Sequence, residues 1–193
     1  ALVPALTNVT FKAVSGYLPL PPGEHLIQVV PTGVTTPVVI SATLTFEIDK
    51  DYTIAATNVL ASITPIVYED DNSAPANGKA HVRFIHLSPD APSVSVYVND
   101  VLELFSNVAF QQASPYQSVD ADTPYDLYVR AAADTAILAL LREDVSFLKE
   151  SVYTVFAMGN LLGDPDLDAI VSLDKQYGVY RIFLPLVLHN YTP

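Results

Sequence analysis

His86 and Asp90 are the residues of this 193-residue chain whose types and spacing could do chemistry. An imidazole four residues from a carboxylate could orient a proton transfer or share a metal ion. They sit in the run His86-Leu87-Ser88-Pro89-Asp90-Ala91-Pro92, where a plainer role competes. A carboxylate held between Pro89 and Ala91 can accept backbone N–H groups and fix a turn. His86 can anchor the same loop. No Ser, Lys or second His is placed to complete a nucleophilic triad, so the structural role is expected. His86, Ser88, Pro89, Asp90 and Pro92 are therefore read as a structural motif loop, with no catalytic residue assigned.

Two acidic runs could hold Ca²⁺: Glu69-Asp70-Asp71, and Asp164-Pro165-Asp166-Leu167-Asp168. The second opens like an EF-hand loop but has Ala169 where Gly is needed and Lys175 where the bidentate Glu belongs. Both are expected to be solvated loops, and no metal or cofactor is assigned. Asn8-Val9-Thr10 and Asn190-Tyr191-Thr192 are N-x-Thr sequons that could carry glycans at Asn8 and Asn190. There is no Gly-rich phosphate loop, no H-E-x-x-H and no G-x-S-x-G, so an enzyme is not expected.

Composition narrows the partners. The net charge is −12, which repels phosphate backbones and argues against nucleic-acid binding. Cysteine is absent, which excludes thiol catalysis, zinc–thiolate sites and disulfides. No apolar run is long enough for a membrane-spanning helix. A chain opening at Ala1, with nothing that reads as a signal peptide, fits a mature secreted or cell-surface protein.

Short runs of Val, Ile, Thr, Tyr and Phe separated by Pro, Gly, Asn and Asp predict strands nearly everywhere. Val94, Val96 and Val98 alternate with Ser95, Tyr97 and Asn99, as a half-buried strand would. The Ala- and Leu-rich stretch 131–141 could pass for a helix. It reads as loop and strand, because its partner in the repeat below contains Gly33 and Pro37.

That repeat organises the chain. Thr7-Asn8-Val9-Thr10-Phe11 matches Ser106-Asn107-Val108-Ala109-Phe110, and Ser15-Gly16-Tyr17 matches Ser114-Pro115-Tyr116. His25 to Val29 matches Tyr125 to Val129, Phe46 matches Phe147, and Asp51-Tyr52-Thr53 matches Val152-Tyr153-Thr154. The second repeat opens with residues 80–100, which have no counterpart in the first. The expected domains are an incomplete sandwich over 1–71, a polar linker over 72–79, a complete sandwich over 80–175 and a tail over 176–193.

The run from His86 to Val98 resembles the signature of a bacterial and archaeal family, domain of unknown function 4397, with Ser95 where many members carry Asp. The resemblance covers 80–175 well, and 1–71 as a repeat without its head. It implies tandem all-β, Ig-like or transthyretin-like antiparallel sandwiches in secreted or surface proteins, with no established activity.

In the tail, Ile182, Leu184, Leu186 and Leu188 fall on one face, and Phe183 and Val187 on the other. A strand apolar on both faces is buried on both. Tyr180, Ile182, Phe183, Leu184, Leu186, Val187 and Leu188 are therefore read as a donor strand. The acceptor is the first repeat, whose core is expected to comprise Val9, Phe11, Ile27, Val29, Phe46 and Ile54. The chain is thus expected to be a subunit of a pilus-like extracellular filament, a homopolymer joined head to tail by donor-strand complementation. The alternative is a surface-anchored adhesion module whose tail folds back as an internal strand.

Overall fold

The structure, a computed structural model, describes residues 5–178. It is all-β. The strands are β1 (Gly23–Val29), β2 (Ile40–Phe46), β3 (Asp51–Thr57), β4 (Thr64–Asp70), β5 (Lys79–His86), β6 (Val94–Val98), β7 (Leu102–Val108), β8 (Gln117–Asp120), β9 (Pro124–Ala131), β10 (Asp134–Ser146), β11 (Ser151–Met158) and β12 (Asp168–Gln176). The Ala- and Leu-rich stretch is the end of β9 and the start of β10.

The second repeat is a sandwich of two four-stranded sheets, ordered β10-β9-β6-β7 and β12-β11-β5-β8. Every pairing is antiparallel except β5 with β11. Alternation puts Val82, Phe84, Val94, Val96, Leu127, Val129, Phe147 and Val155 into one core. Ser95, expected on a solvated face, is 3 % exposed. Its strand is central, and its hydroxyl accepts the Asn107 N–H at 3.1 Å.

The first repeat is smaller than the sequence suggests. It consists of two separate hairpins, β1–β2 and β3–β4. Residues 5–22, which include the matches to β7, form no strand. The sheet order explains this. In the second repeat β7 pairs only with β6, and β8 only with β5. With no counterparts of β5 and β6 among the described residues, the stretches matching β7 and β8 have no ladder to join.

Local geometry nevertheless repeats. Phe46 and Tyr52 have ring centroids 5.2 Å apart, and Phe147 and Tyr153 5.1 Å. The Tyr52 hydroxyl accepts the Glu47 N–H, as the Tyr153 hydroxyl accepts that of Leu148. Asn8 and Asn107, at φ 55° and 49°, share a left-handed turn, a conformation Asn tolerates well.

The β3–β4 hairpin lies on the outer face of the β12-β11-β5-β8 sheet. Tyr68 is buried there against Ile85 and Phe156, and its hydroxyl donates to Gln111 O at 3.0 Å. The two repeats therefore share an interface.

Candidate functional site

The motif loop joins β5 to β6. His86 is 1 % exposed, with Nε2 3.0 Å from Pro92 O and Nδ1 accepting the Ser88 N–H at 3.3 Å. Those contacts define the neutral tautomer, and burial holds the pKa below its ordinary value. Both nitrogens are occupied in holding the loop. Asp90 accepts the N–H groups of Leu161 and Leu162 at 2.7 and 2.9 Å and the Ser88 hydroxyl at 3.2 Å. The Leu162 N–H is the main reason its carboxyl sits below the usual carboxylate range. The loop thus clamps the turn after β11. Asp90→Ala is expected to cost about 1 kcal/mol, because the carboxylate is solvent-exposed, and urea unfolding measures it.

The acidic runs are not free loops. Asp168 pairs with Lys12 at 3.4 Å, and Asp166 O accepts the same ammonium at 3.0 Å. Asp70, placed by the sequence in a solvated stretch, is 7 % exposed. It ends β4, and its carboxylate takes the guanidinium of Arg83. No group of three or more metal-ligating side chains occurs among the described residues.

Arg83, which the sequence reading passed over, is the centre of the inter-repeat junction and is 2 % exposed. It projects from the outer face of β5. Nε donates to Thr154 Oγ1 at 2.8 Å, Nη2 to Thr53 Oγ1 at 3.0 Å and to Asp70, and Nη1 to Glu69 O at 3.3 Å. The Tyr116 ring lies 5.0 Å from the guanidinium carbon. Three strands, β3, β4 and β11, and the Tyr116 loop therefore converge on one cation from both repeats. The available signal was an arginine flanked by Val82 and Phe84 in a strand whose apolar side chains are buried.

The junction has an internal two-fold pattern. Thr53 matches Thr154, and both hydroxyls accept from Arg83. Thr53 Oγ1 donates to Asp70 at 2.9 Å, and Thr154 Oγ1 to Asp174 at 2.5 Å. Tyr17 matches Tyr116; its hydroxyl donates to Asp70 at 2.6 Å and accepts from Asn72 at 3.2 Å. Burial pushes both phenols above their ordinary value. Burial also pushes the Asp174 carboxyl up to about 6.

The residues read as an acceptor core are not enclosed within the chain. Phe46 is buried and Ile27 half-buried, whereas Val9, Phe11, Val29 and Ile54 are exposed. Their matches in the second repeat show what is missing. Val108 is 5 % exposed against 57 % for Val9, and Val155 is 2 % against 40 % for Ile54. In the second repeat β5 and β6 cover these positions. In the first, β1 and β3 each keep one edge on which no described strand pairs. The donor residues Tyr180, Ile182, Phe183, Leu184, Leu186, Val187 and Leu188, and the sequon at Asn190, lie outside the described residues. The tail leaves them at Tyr177, whose N–H donates to Glu150 O at 2.8 Å and whose hydroxyl donates to Asn72 O.

Among known families, the profile described as domain of unknown function (DUF4397) matches residues 2–97 and 88–179. No curated protein matches the chain.

Proposed function

The chain belongs to the DUF4397 family, and from that premise, which carries a fold but no activity, we propose that it is a structural subunit of an extracellular filament. The tail of one subunit completes the first sandwich of the next, giving a head-to-tail homopolymer on the cell surface. One observation carries this reading: equivalent side chains are buried in the second repeat and exposed in the first, beside two strand edges on which no described strand pairs. Unpaired edges flanked by apolar side chains are templates for an added strand.

A second reading, the closed adhesion module, has its own support. Lys175 reaches Asp51, the first residue of β3, at 3.9 Å, so the tail departs near its own open edge. Negative-stain microscopy and sedimentation over a concentration series separate the two. Fibres from the full chain, and none from a chain ending at Lys175, are expected. Compact monomers of the full chain at every concentration would overturn the filament.

A further inference from the structure

Among the described residues no strand pairs with the outer edge of β3, and the two-fold pattern at the junction defines what would fit there. In the second repeat, Arg83 of β5 lies beside Thr154 of β11 in parallel register and reaches across to Asp70. The first repeat presents the same surroundings without the arginine. Thr53 stands where Thr154 does, on a strand with one edge unpaired among the described residues. Asp174 stands where Asp70 does, and among the described residues no cation lies within ion-pair distance of it. Tyr17 stands where Tyr116 does, is 44 % exposed, and among the described residues covers no guanidinium. Asn72 Oδ1, bordering the same cluster, is buried with no donor among the described residues. A burial-raised carboxyl on Asp174 is consistent with a cationic partner missing from its surroundings.

The chain contains a segment of the required pattern. Tyr180-Arg181-Ile182-Phe183-Leu184 follows the order of Val82-Arg83-Phe84-Ile85-His86: an arginine preceded by one apolar or aromatic residue and followed by alternating large side chains. We propose that residues 179–184 add to the outer edge of β3 as a parallel strand, with Arg181 beside Thr53 and its guanidinium between Asp174 and the Tyr17 ring. Ile182 then faces the same way as Ile54 and covers it, as Phe84 accompanies Val155 in the second repeat. This rests on the tail being the donor in the proposed function, and it adds the register and the recognition chemistry. An apolar strand supplies affinity; one arginine meeting the half-buried Asp174 selects the register, since a one-residue slip turns Arg181 into the apolar interior.

Absence of cysteine makes the test clean. In the full chain, Ile54→Cys with Ile182→Cys should form a disulfide on mild oxidation, and Ile54→Cys with Phe183→Cys, on opposite faces, should not. Mixing the two single variants should give cross-linked pairs of chains. Separately, Arg181→Ala and Asp174→Asn should each raise the concentration needed for assembly by roughly ten- to a hundredfold, and the double variant by no more than either alone. Cross-linking confined within single chains would uphold the register and sink the filament. Fibres that form with no in-register cross-link, or additive effects of the two substitutions, would overturn the register while leaving the filament standing. Neither fibres nor cross-link would remove both.

Discussion

Replacing Arg83 by alanine should destabilise the folded chain by about 3–5 kcal/mol, because it leaves the Asp70 carboxylate buried without its countercharge. The side chains of Arg83 and Asp70 are 2 % and 0 % exposed, so water cannot easily take over. The same substitution also strands the hydroxyls of Thr53 and Thr154, each of which accepts from the guanidinium. The cost should fall when both charges go together. Arg83→Met with Asp70→Leu should lose far less than the single substitution, since paired removal leaves no orphaned charge. Urea unfolding followed by tyrosine signal measures both, the chain having eleven Tyr and no Trp. A loss below about 1 kcal/mol for Arg83→Ala would mean that solvent enters the junction and the repeats are not coupled there. A shift from one unfolding transition to two would locate the damage between the repeats.

Asp174→Asn should stabilise the dispersed subunit near pH 8 and leave it almost unchanged near pH 4. Burial raises this carboxyl from its ordinary 3.8 to about 6, against weaker lowering by the Thr154 hydroxyl and Arg83. The folded chain therefore holds the proton more tightly than the unfolded chain. Between about pH 4 and pH 6 it binds more protons, and its stability falls as pH rises through that window. A shift of this size corresponds to about 2–3 kcal/mol. Asn keeps an oxygen for the Thr154 hydroxyl and removes the charge, so it should recover most of that amount at high pH. Thermal unfolding of both proteins at the two pH values is the check; equal effects at pH 4 and pH 8 would show that the carboxyl is not raised. In the assembled state the sign should reverse. Once Arg181 of another subunit lies beside Asp174, the ionised carboxylate becomes the favoured form and its loss weakens the fibre.

Much of this architecture is legible in the order of residues. The period-two apolar pattern marks the strands of the second sandwich, because each buries one side against the opposite sheet. The repeat is visible because its anchors are chemically constrained. Phe46 with Tyr52 and Phe147 with Tyr153 each form an aromatic pair whose hydroxyl takes a backbone N–H. That Asp90 accepts backbone N–H groups and ties down a turn is legible from the prolines on either side of it. The extent of the first repeat was less legible. Its Asn8-Val9-Thr10-Phe11 motif matches β7 closely, yet a strand needs a neighbour as well as a sequence, and β7 has only β6.

The sequence by itself determined an acidic, cysteine-free, all-β chain of two related repeats joined at a turn-rich stretch. Composition, local periodicity and side-chain conformational preference are properties of short segments, and they act before distant residues meet. Only the tertiary structure decided which polar residues matter. Arg83, Asp70, Thr53, Thr154, Tyr17 and Asp174 are spread over more than 150 positions and show no spacing motif. They become a site because β3–β4 folds onto the outer face of the β5–β11–β12 strands and removes water from between them. Burial turns a common surface arginine into the hub of the junction, while among the described residues no cation stands at its two-fold counterpart. That asymmetry lies in sheet order and solvent exclusion, which no local stretch of residues encodes.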